Sequence, residues 1–461
     1  MVFGSARVAL HFWLHAVHLF GLWSACSFAY RKGALVMGVS VVGNTEENIR
    51  PTSVAIIGAG IVGLSTAWFL QDNDVQVTVY DKSGAGAGAS WGNAGWLTPS
   101  LVAPLPEPAM LRYGVRAVLD RRSPVFVPLR ADWGLARFMA GFMRASTSTQ
   151  WRSGMAGLVS LNRWALDAFD VLADGGVQAP TYPAEPFLAA YRTTTGRDTL
   201  LREVEHLSAA GQPDVQATAL TGDQARAMHP MLSTEIGAAV QLHGQRYIHP
   251  PEFLRSLAQS VTHRGGHLVE DTTVMSLDPE PHGVVVQTVQ GGQRFDACVV
   301  ATGADLPRLV RRHGVRQPVQ AGRGYSFSVP VERVPDGPLY FPQQRVACTP
   351  LGGRLRVAGM MEFRRPDAAL DPRRVRAIVE AVKPLLTGAD LDDRRNEWVG
   401  SRPCTADGLP LIGATDCPRI HVAGGHGMWG VTLGPVTGLV MAESLVKGQP
   451  AAGLQAFDPL R

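Results

Sequence analysis

Apolar and polar positions fall into blocks over residues 54–81, VAIIGAGIVGLSTAWFLQDNDVQVTVYD. Residues 54–57 are an unbroken apolar run of strand length, which predicts a parallel strand buried on both faces. An apolar-periodic stretch to Leu70 predicts a helix, and 75–80 a second strand ending on Asp81. Helical spacing recurs over 130–173 and stops at Gly175-Gly176. The region 189–242 is mixed, with helical stretches at 203–210 and at TGDQARAMHP, an N-capped segment ended by Pro230. Residues 250–264 read as a helix closed by glycines. Strand runs follow at 267–270, 273–277, 284–289 and 295–301. Alternation at Tyr325, Phe327 and Val329, and again at Leu355 and Val357, predicts a second sheet within 318–362. Asp371-Pro372 opens a helix to 386. Residues 397–413 read as irregular and turn-rich, 420–423 as a strand, GGHGMWG as a tight loop and 432–447 as a helix.

The helix, strand, hairpin and strand between 250 and 301 return the chain to the first sheet. The fold class is therefore α/β, α+β in part, with a Rossmann-like nucleotide domain assembled from 51–105, 245–308 and 396–450. A substrate domain holding the second sheet takes 106–244 and 309–395, and 1–50 stand outside both. Gly58, Gly60 and Gly63 have the G-x-G-x-x-G spacing between a strand and a helix. The first permits the tight turn, the second lets backbone approach a pyrophosphate, and the third lets helix and strand lie close. Amides and dipole at the helix start then bind phosphates. Asp81 stands where a carboxylate accepts from a ribose 2′-hydroxyl. The small-residue run GAGAGASWGNAGWLTPS that follows cannot pack as a helix or strand of its own. It is either a flexible connector or a loop kept small to lie against a flat ligand, with Ser90 and Asn93 supplying hydrogen bonds. Its place just after Asp81 favours the second. The strand ending in Ala301, Thr302 and Gly303 suits close approach to a ligand, and the glycine loop before the last helix offers a second helix N-terminus.

Composition narrows this picture. A chain of 461 residues, 46% hydrophobic and 18% charged, is globular and long enough for two or three domains. A net charge of +4 does not mark a nucleic-acid binder; Arg121-Arg122, Arg311-Arg312 and Arg364-Arg365 read as solvated surface. The five cysteines are widely spaced with no C-x-x-C, which argues against a metal site or a disulfide framework and fits a reducing, cytoplasmic compartment. An apolar run over 8–30 is interrupted by His11, His15 and His18 and flanked by Arg7 and Arg31-Lys32. It reads as a membrane anchor, a cleaved signal or the product of an upstream start ahead of Met37. The upstream start or a dispensable extension is favoured.

Taken together, GAGIVGLSTAWFL with VTVYDKS, ASWGNAGWLTPS, VVATGAD, GYSFSV, WVGSRPCTADGLPLIG and VAGGHGMWGVTLGPVTG resemble the FAD-dependent D-amino-acid oxidase superfamily. The Asn93-Ala94-Gly95 run before a Pro- and Arg-rich segment looks most like the bacterial D-amino-acid dehydrogenases. The resemblance covers roughly residues 52–448 and implies noncovalent FAD in the Rossmann-like domain, covered by a discontinuous substrate domain built on an antiparallel sheet. Gly58, Ala59, Gly60, Ile61, Val62 and Gly63 would then hold the pyrophosphate and Asp81 the adenosine ribose, with Lys82 also on the cofactor. Ser90, Asn93, Ala94 and Gly95 would run along the isoalloxazine, and Val274 would meet adenine. Ala301, Thr302 and Gly303 would line the same cofactor, and Gly425, His426, Gly427 and Met428 would close over its pyrimidine end. Arg402 matches the arginine that clamps a substrate carboxylate, a role suited to its fork of donors. Tyr325 either adds a hydroxyl to that carboxylate or is a packed tyrosine of the sheet.

The implied activity is oxidative deamination of an amino acid, D-configured as the best guess, to the 2-oxo acid and ammonia. Alternatives are a cyclic or secondary amine (hydroxyproline, proline, glycine or sarcosine), a hydroxy acid, or a non-catalytic flavin-binding subunit of an amine dehydrogenase. Electrons would pass to a quinone, a carrier or oxygen. The expected location is the cytoplasm, with peripheral association at the inner membrane face as an option.

Overall fold

A computed structural model describes residues 50–108, 125–127, 132–212 and 215–461. The readings made for the N-terminal apolar run and for Arg121-Arg122 lie outside these residues. β1 (Ser53–Ile57), α1 (Ile61–Gln71) and β2 (Gln76–Tyr80) form as the apolar blocks dictate. A six-stranded sheet is built around them in the order His267–Val269, β2, β1, Ala297–Val300, Ile420–Gly424, Leu411–Ala414. Its pairs are parallel except the last. The chain leaves this sheet after β2, returns for two strands, leaves again and comes back at 411–424. Val54, Ala55 and Ile56 are fully buried, as a strand covered on both faces requires.

The hairpin expected between 273 and 295 is a three-stranded antiparallel sheet of Val274–Glu280, Gly283–Thr288 and Gly291–Phe295. The third strand, GGQRF, is mostly exposed and carries no apolar alternation by which to read it. The helix read at 203–210 begins nine residues earlier, at Thr194, where the Thr193 hydroxyl caps it. The glycine-rich run is not wholly irregular, because Trp96–Leu97 pairs with Arg246–Tyr247.

The second sheet has nine described strands, mostly antiparallel. Arg395–Thr405 forms its edge, beside Val319–Val329 and then Arg354–Phe363. This corrects the irregular reading of 397–413. Gly400 and Pro403 hid the strand, yet an edge position tolerates a residue without an N–H. The described strands of both sheets lie within one compact unit, Gly43–Arg461.

The C-terminal helix Gly430–Lys447 crosses α1 closely. A Cβ on Gly434 would lie 2.9 Å from Ile61 Cγ2, and one on Gly438 only 2.6 Å from the backbone of Ser65 and Thr66. Glycine at these positions lets the helices touch, and the crossing sets their N-termini side by side. Among the described residues, Gly427–Lys447 is also the one helical stretch long and apolar enough to cross a membrane, but 72% of its apolar window is buried in this core. Gly438→Val would drive a branched side chain into backbone that cannot yield cheaply. A loss of about 3 kcal/mol is expected, read as a lower Tm of the flavin-loaded protein together with weaker flavin retention on gel filtration. An unchanged Tm and full retention would contradict the crossing.

Candidate flavin and substrate site

The loop between β1 and α1 has the geometry its glycines allow. Gly58 adopts φ 113°, and a Cβ there would stand 2.5 Å from the Ala301 carbonyl oxygen. A Cβ on Gly63 would lie 1.9 Å from the Gly58 oxygen, so this glycine permits the helix-to-strand contact. Gly60 caps α1 with no side-chain hydrogen bond, and no acid occupies the first turn. The helix dipole therefore presents its positive end with no acid in its own first turn to answer it.

Asp81 holds this loop in place. Its Oδ2 accepts from the Ala59 amide at 2.8 Å, and its Oδ1 from the Ser83 and Gly84 amides at 2.9 and 3.1 Å. A carboxylate has about four acceptor sites, so it keeps capacity toward the cavity it lines. Ser90 Oγ accepts from the Ile61 amide at 3.3 Å, which ties the small-residue loop to the helix start. Further along, that loop docks on the second sheet. The Gly92 carbonyl accepts from Ser326 Oγ at 2.7 Å and the Ala94 carbonyl from Thr349 Oγ1 at 2.8 Å. Asn93 Oδ1 accepts from the Gly95 amide at 2.8 Å and fixes the turn between them.

These elements enclose a cavity of about 390 Å³. Its walls bring together Gly58, Gly60, Ile61, Val62, Asp81, Lys82, Ser90, Asn93, Val274, Ala301, Thr302, Gly303, His426, Gly427 and Met428. Of the other residues expected there, Ala59 spends its amide on Asp81 and Gly63 packs against Gly58, as given above. Gly95, at φ 79°, turns tightly against the Ile248 carbonyl, and Gly425 sits against Thr405. Those four stand behind the wall rather than in it. Lys82 is paired with Asp305.

A second, uncapped helix start, at Gly430, opens on the same space. Thr302 Oγ1 is buried with no partner among the described residues, a cost that a polar ligand would relieve. Two open helix starts, a carboxylate with spare acceptors and an orphaned hydroxyl fit a long molecule carrying phosphates and a ribose.

A second cavity of about 470 Å³ shares Ala89, Asn93, Arg402 and Met428 with the first, and Ala94 lies on its wall alone. Arg402 belongs to the edge strand Arg395–Thr405. Its Nη1 donates to the Met360 carbonyl at 2.7 Å, and its guanidinium lies over Gly324, where a Cβ would be 2.2 Å from Nη2. Desolvation pushes its pKa below the usual arginine value. It makes no ion pair with a carboxylate among the described residues. A desolvated cation without an anion, open to two cavities, is a site for a ligand anion.

Tyr325 is not placed to donate to such an anion. Its one proton goes to Glu362 Oε2 at 2.6 Å, and the ring is buried. On the wall of the second cavity, this hydroxyl is thus turned to Glu362. Sequence reasoning missed Gly324 and Met360, which seat the guanidinium; only the glycine in GYSFSV was a local signal. It also missed Arg356, whose Nη2 donates to Ser326 Oγ at 2.8 Å and whose pKa burial lowers to about 10.

The chain belongs to the family described as DAO, FAD dependent oxidoreductase, which matches residues 53–444. It is a FAD-dependent oxidoreductase, and the cavity walls fit that cofactor. It is similar to a D-amino acid dehydrogenase of Xylella fastidiosa, 29% identical over 401 residues, 85% of this chain and 91% of the relative. Its fold is similar to glycine oxidase from Geobacillus kaustophilus, with a TM-score of 0.67 at 23% identity over 88% of this chain and 98% of that one. L-alpha-glycerophosphate oxidase from Mycoplasma pneumoniae, solved with FAD bound, superposes with a TM-score of 0.67 at 16% identity, covering 86% and 94%.

Burial depresses His421 and His426 from 6.5 to about 4, so both are neutral in the folded protein at pH 7. His426 Nε2 bonds Thr437 Oγ1 at 2.9 Å, a packing role beside the cofactor loop. The unfolded chain binds protons near the ordinary value and the folded chain does not. Stability from these groups is therefore complete above about pH 6.5 and is lost as pH falls toward 4. A Tm that declines from pH 6.5 to 5, with a shallower decline in His421→Asn/His426→Asn, is expected from calorimetry. A flat wild-type profile over that range would contradict it.

Proposed function

We propose that the protein oxidises an α-amino acid, D-configured, to the imino acid, which water converts to the 2-oxo acid and ammonia. The observation that carries this reading is Arg402: a desolvated guanidinium with no carboxylate partner among the described residues, at the junction of the two cavities. Its fork of donors matches a substrate carboxylate bidentately. The names of the similar dehydrogenases support the D-amino-acid class. Bound FAD supplies a two-electron acceptor for the hydride leaving the substrate Cα.

The protein's own contribution is chiefly placement. Glu107 and Glu203 are carboxylates on the wall of the second cavity, and burial raises the pKa of both. The substrate amine gives up its proton, to one of these carboxylates or to solvent, before its hydride leaves. Arg402 fixes the carboxylate, and the cavity walls fix the side chain. Together they hold the Cα hydrogen in one orientation, which removes entropy from the barrier. Apolar wall residues, among them Met360, Met361 and Trp429, keep water from the reacting carbon. We place electron delivery with a quinone or carrier ahead of oxygen, on the relatives' names, in a cytoplasmic enzyme with access to the inner membrane face.

Anaerobic mixing of the yellow protein with D- and L-amino acids tests the reading. Bleaching by one or more D-amino acids is expected; a flavin unmoved by the whole panel would contradict it. Arg402→Leu should lower kcat/KM about 10²–10³-fold with the flavin retained, the usual cost of losing one partner of an enclosed charge pair. Near-normal turnover in that variant would remove the clamp.

A further inference from the structure

We infer that Glu362 is the positioning residue that aims Arg402 at the substrate carboxylate, an inference that rests on the clamp reading above. Glu362 is 1% exposed and lies on Arg354–Phe363, two residues beyond Met360, whose carbonyl holds the guanidinium. Its Oε2 accepts from the Tyr325 hydroxyl at 2.6 Å and faces Arg323 Nη1 at 3.4 Å. Arg323 and Tyr325 are the two neighbours of Gly324, the residue on which the Arg402 guanidinium rests. One carboxylate thus grips both flanks of the guanidinium's seat.

The strand register shows what that grip secures. Arg323 pairs with Glu362, but Tyr325 pairs with Gly359. Met360 and Met361 together oppose the single residue Gly324, which is a β-bulge. Within it Met360 takes φ 69°, a left-handed conformation that a residue with a side chain rarely adopts. The bulge turns the Met360 carbonyl to Arg402 and bares the Gly324 backbone beneath it. Neither contact would survive in a regular ladder, where Met360 would be extended. Such a conformation persists only where its surroundings over-determine it. Glu362 supplies that determination, through Tyr325 and Arg323 from one strand and through Arg374 Nε at 3.5 Å from the helix Pro372–Val382. The glutamate never meets the substrate; it acts through the bulge.

A KM-against-kcat comparison on the flavin-loaded enzyme, with D-alanine or the best D-amino acid of the panel, tests this. Glu362→Gln keeps the size of the side chain and removes the charge that draws Arg323 and Arg374 in. We expect KM to rise about tenfold, with a smaller change in kcat per bound flavin. Tyr325→Phe, which deletes one hydrogen bond, should raise KM about threefold. Leu339→Ala, a truncation in the fully buried core of the same sheet, should lower Tm while keeping the wild-type KM. The inference is overturned if Glu362→Gln lowers Tm and leaves KM at the wild-type value. If Glu362→Gln does not fold, Tyr325→Phe decides alone: a threefold rise supports the role and an unmoved KM removes it. Failure of the underlying clamp would show separately, as an unchanged KM in Arg402→Leu.

Discussion

A half-buried, desolvated guanidinium with no carboxylate to pair it among the described residues is the constraint around which this molecule is arranged. Such a group is costly to enclose, and proteins usually place an acid beside it. Here the acid is two strands away and turned elsewhere: Glu362 binds Arg323 and Tyr325, while Arg402 Nη1 donates to the Met360 carbonyl and lies by Met361 Sδ. The sheet needs a bulge, a left-handed methionine and a bare glycine to seat the arginine in this way. An arrangement that keeps its acid from its arginine leaves the positive charge for something that enters from outside.

The cofactor side follows the same logic with a different source of charge. Two helices start at the first cavity with no cap from the side chain of their own N-cap residue and without an acid in either first turn. They converge because glycines at 434 and 438 let the C-terminal helix lie against α1. The positive poles of both dipoles then meet where phosphates would lie. Asp81 organises the loop between β1 and α1 from behind while keeping acceptor sites for a ribose. The small-residue loop over 84–100 joins the two halves of the site: Ser90 is bonded to α1, and Gly92 and Ala94 to the second sheet. Substrate cavity and cofactor cavity therefore share walls instead of lying apart.

What the sequence made legible was what depends on near neighbours. A buried strand, three spaced glycines, a helix and an acid lie within 28 residues, and their order alone specifies the nucleotide-binding unit. The return strands could be read because full burial demands continuous apolar runs. The edge strand Arg395–Thr405 could not, since its glycine, proline and arginines obey the demands of a site and an edge rather than of a core. Tyr325 was placed on its strand, but its hydroxyl's partner was left between a substrate carboxylate and packing within the sheet. The direction of that hydroxyl depends on Glu362, 37 residues later, and on a register shift that no local pattern announces. The seat of Arg402 was invisible for the same reason: Gly324, Met360 and Arg402 come from three strands and meet only in the folded sheet.

The account turns on the charge of the ligand that Arg402 receives. Its most direct measurement is the anaerobic rate of flavin reduction by a D-amino acid compared with the amide of that same amino acid, each with its amine neutral. The two differ only in the carboxylate. Reduction by the acid and a rate lower by two orders of magnitude or more with the amide is the predicted result. Equal rates for the two would show that the arginine serves something other than the substrate carboxylate.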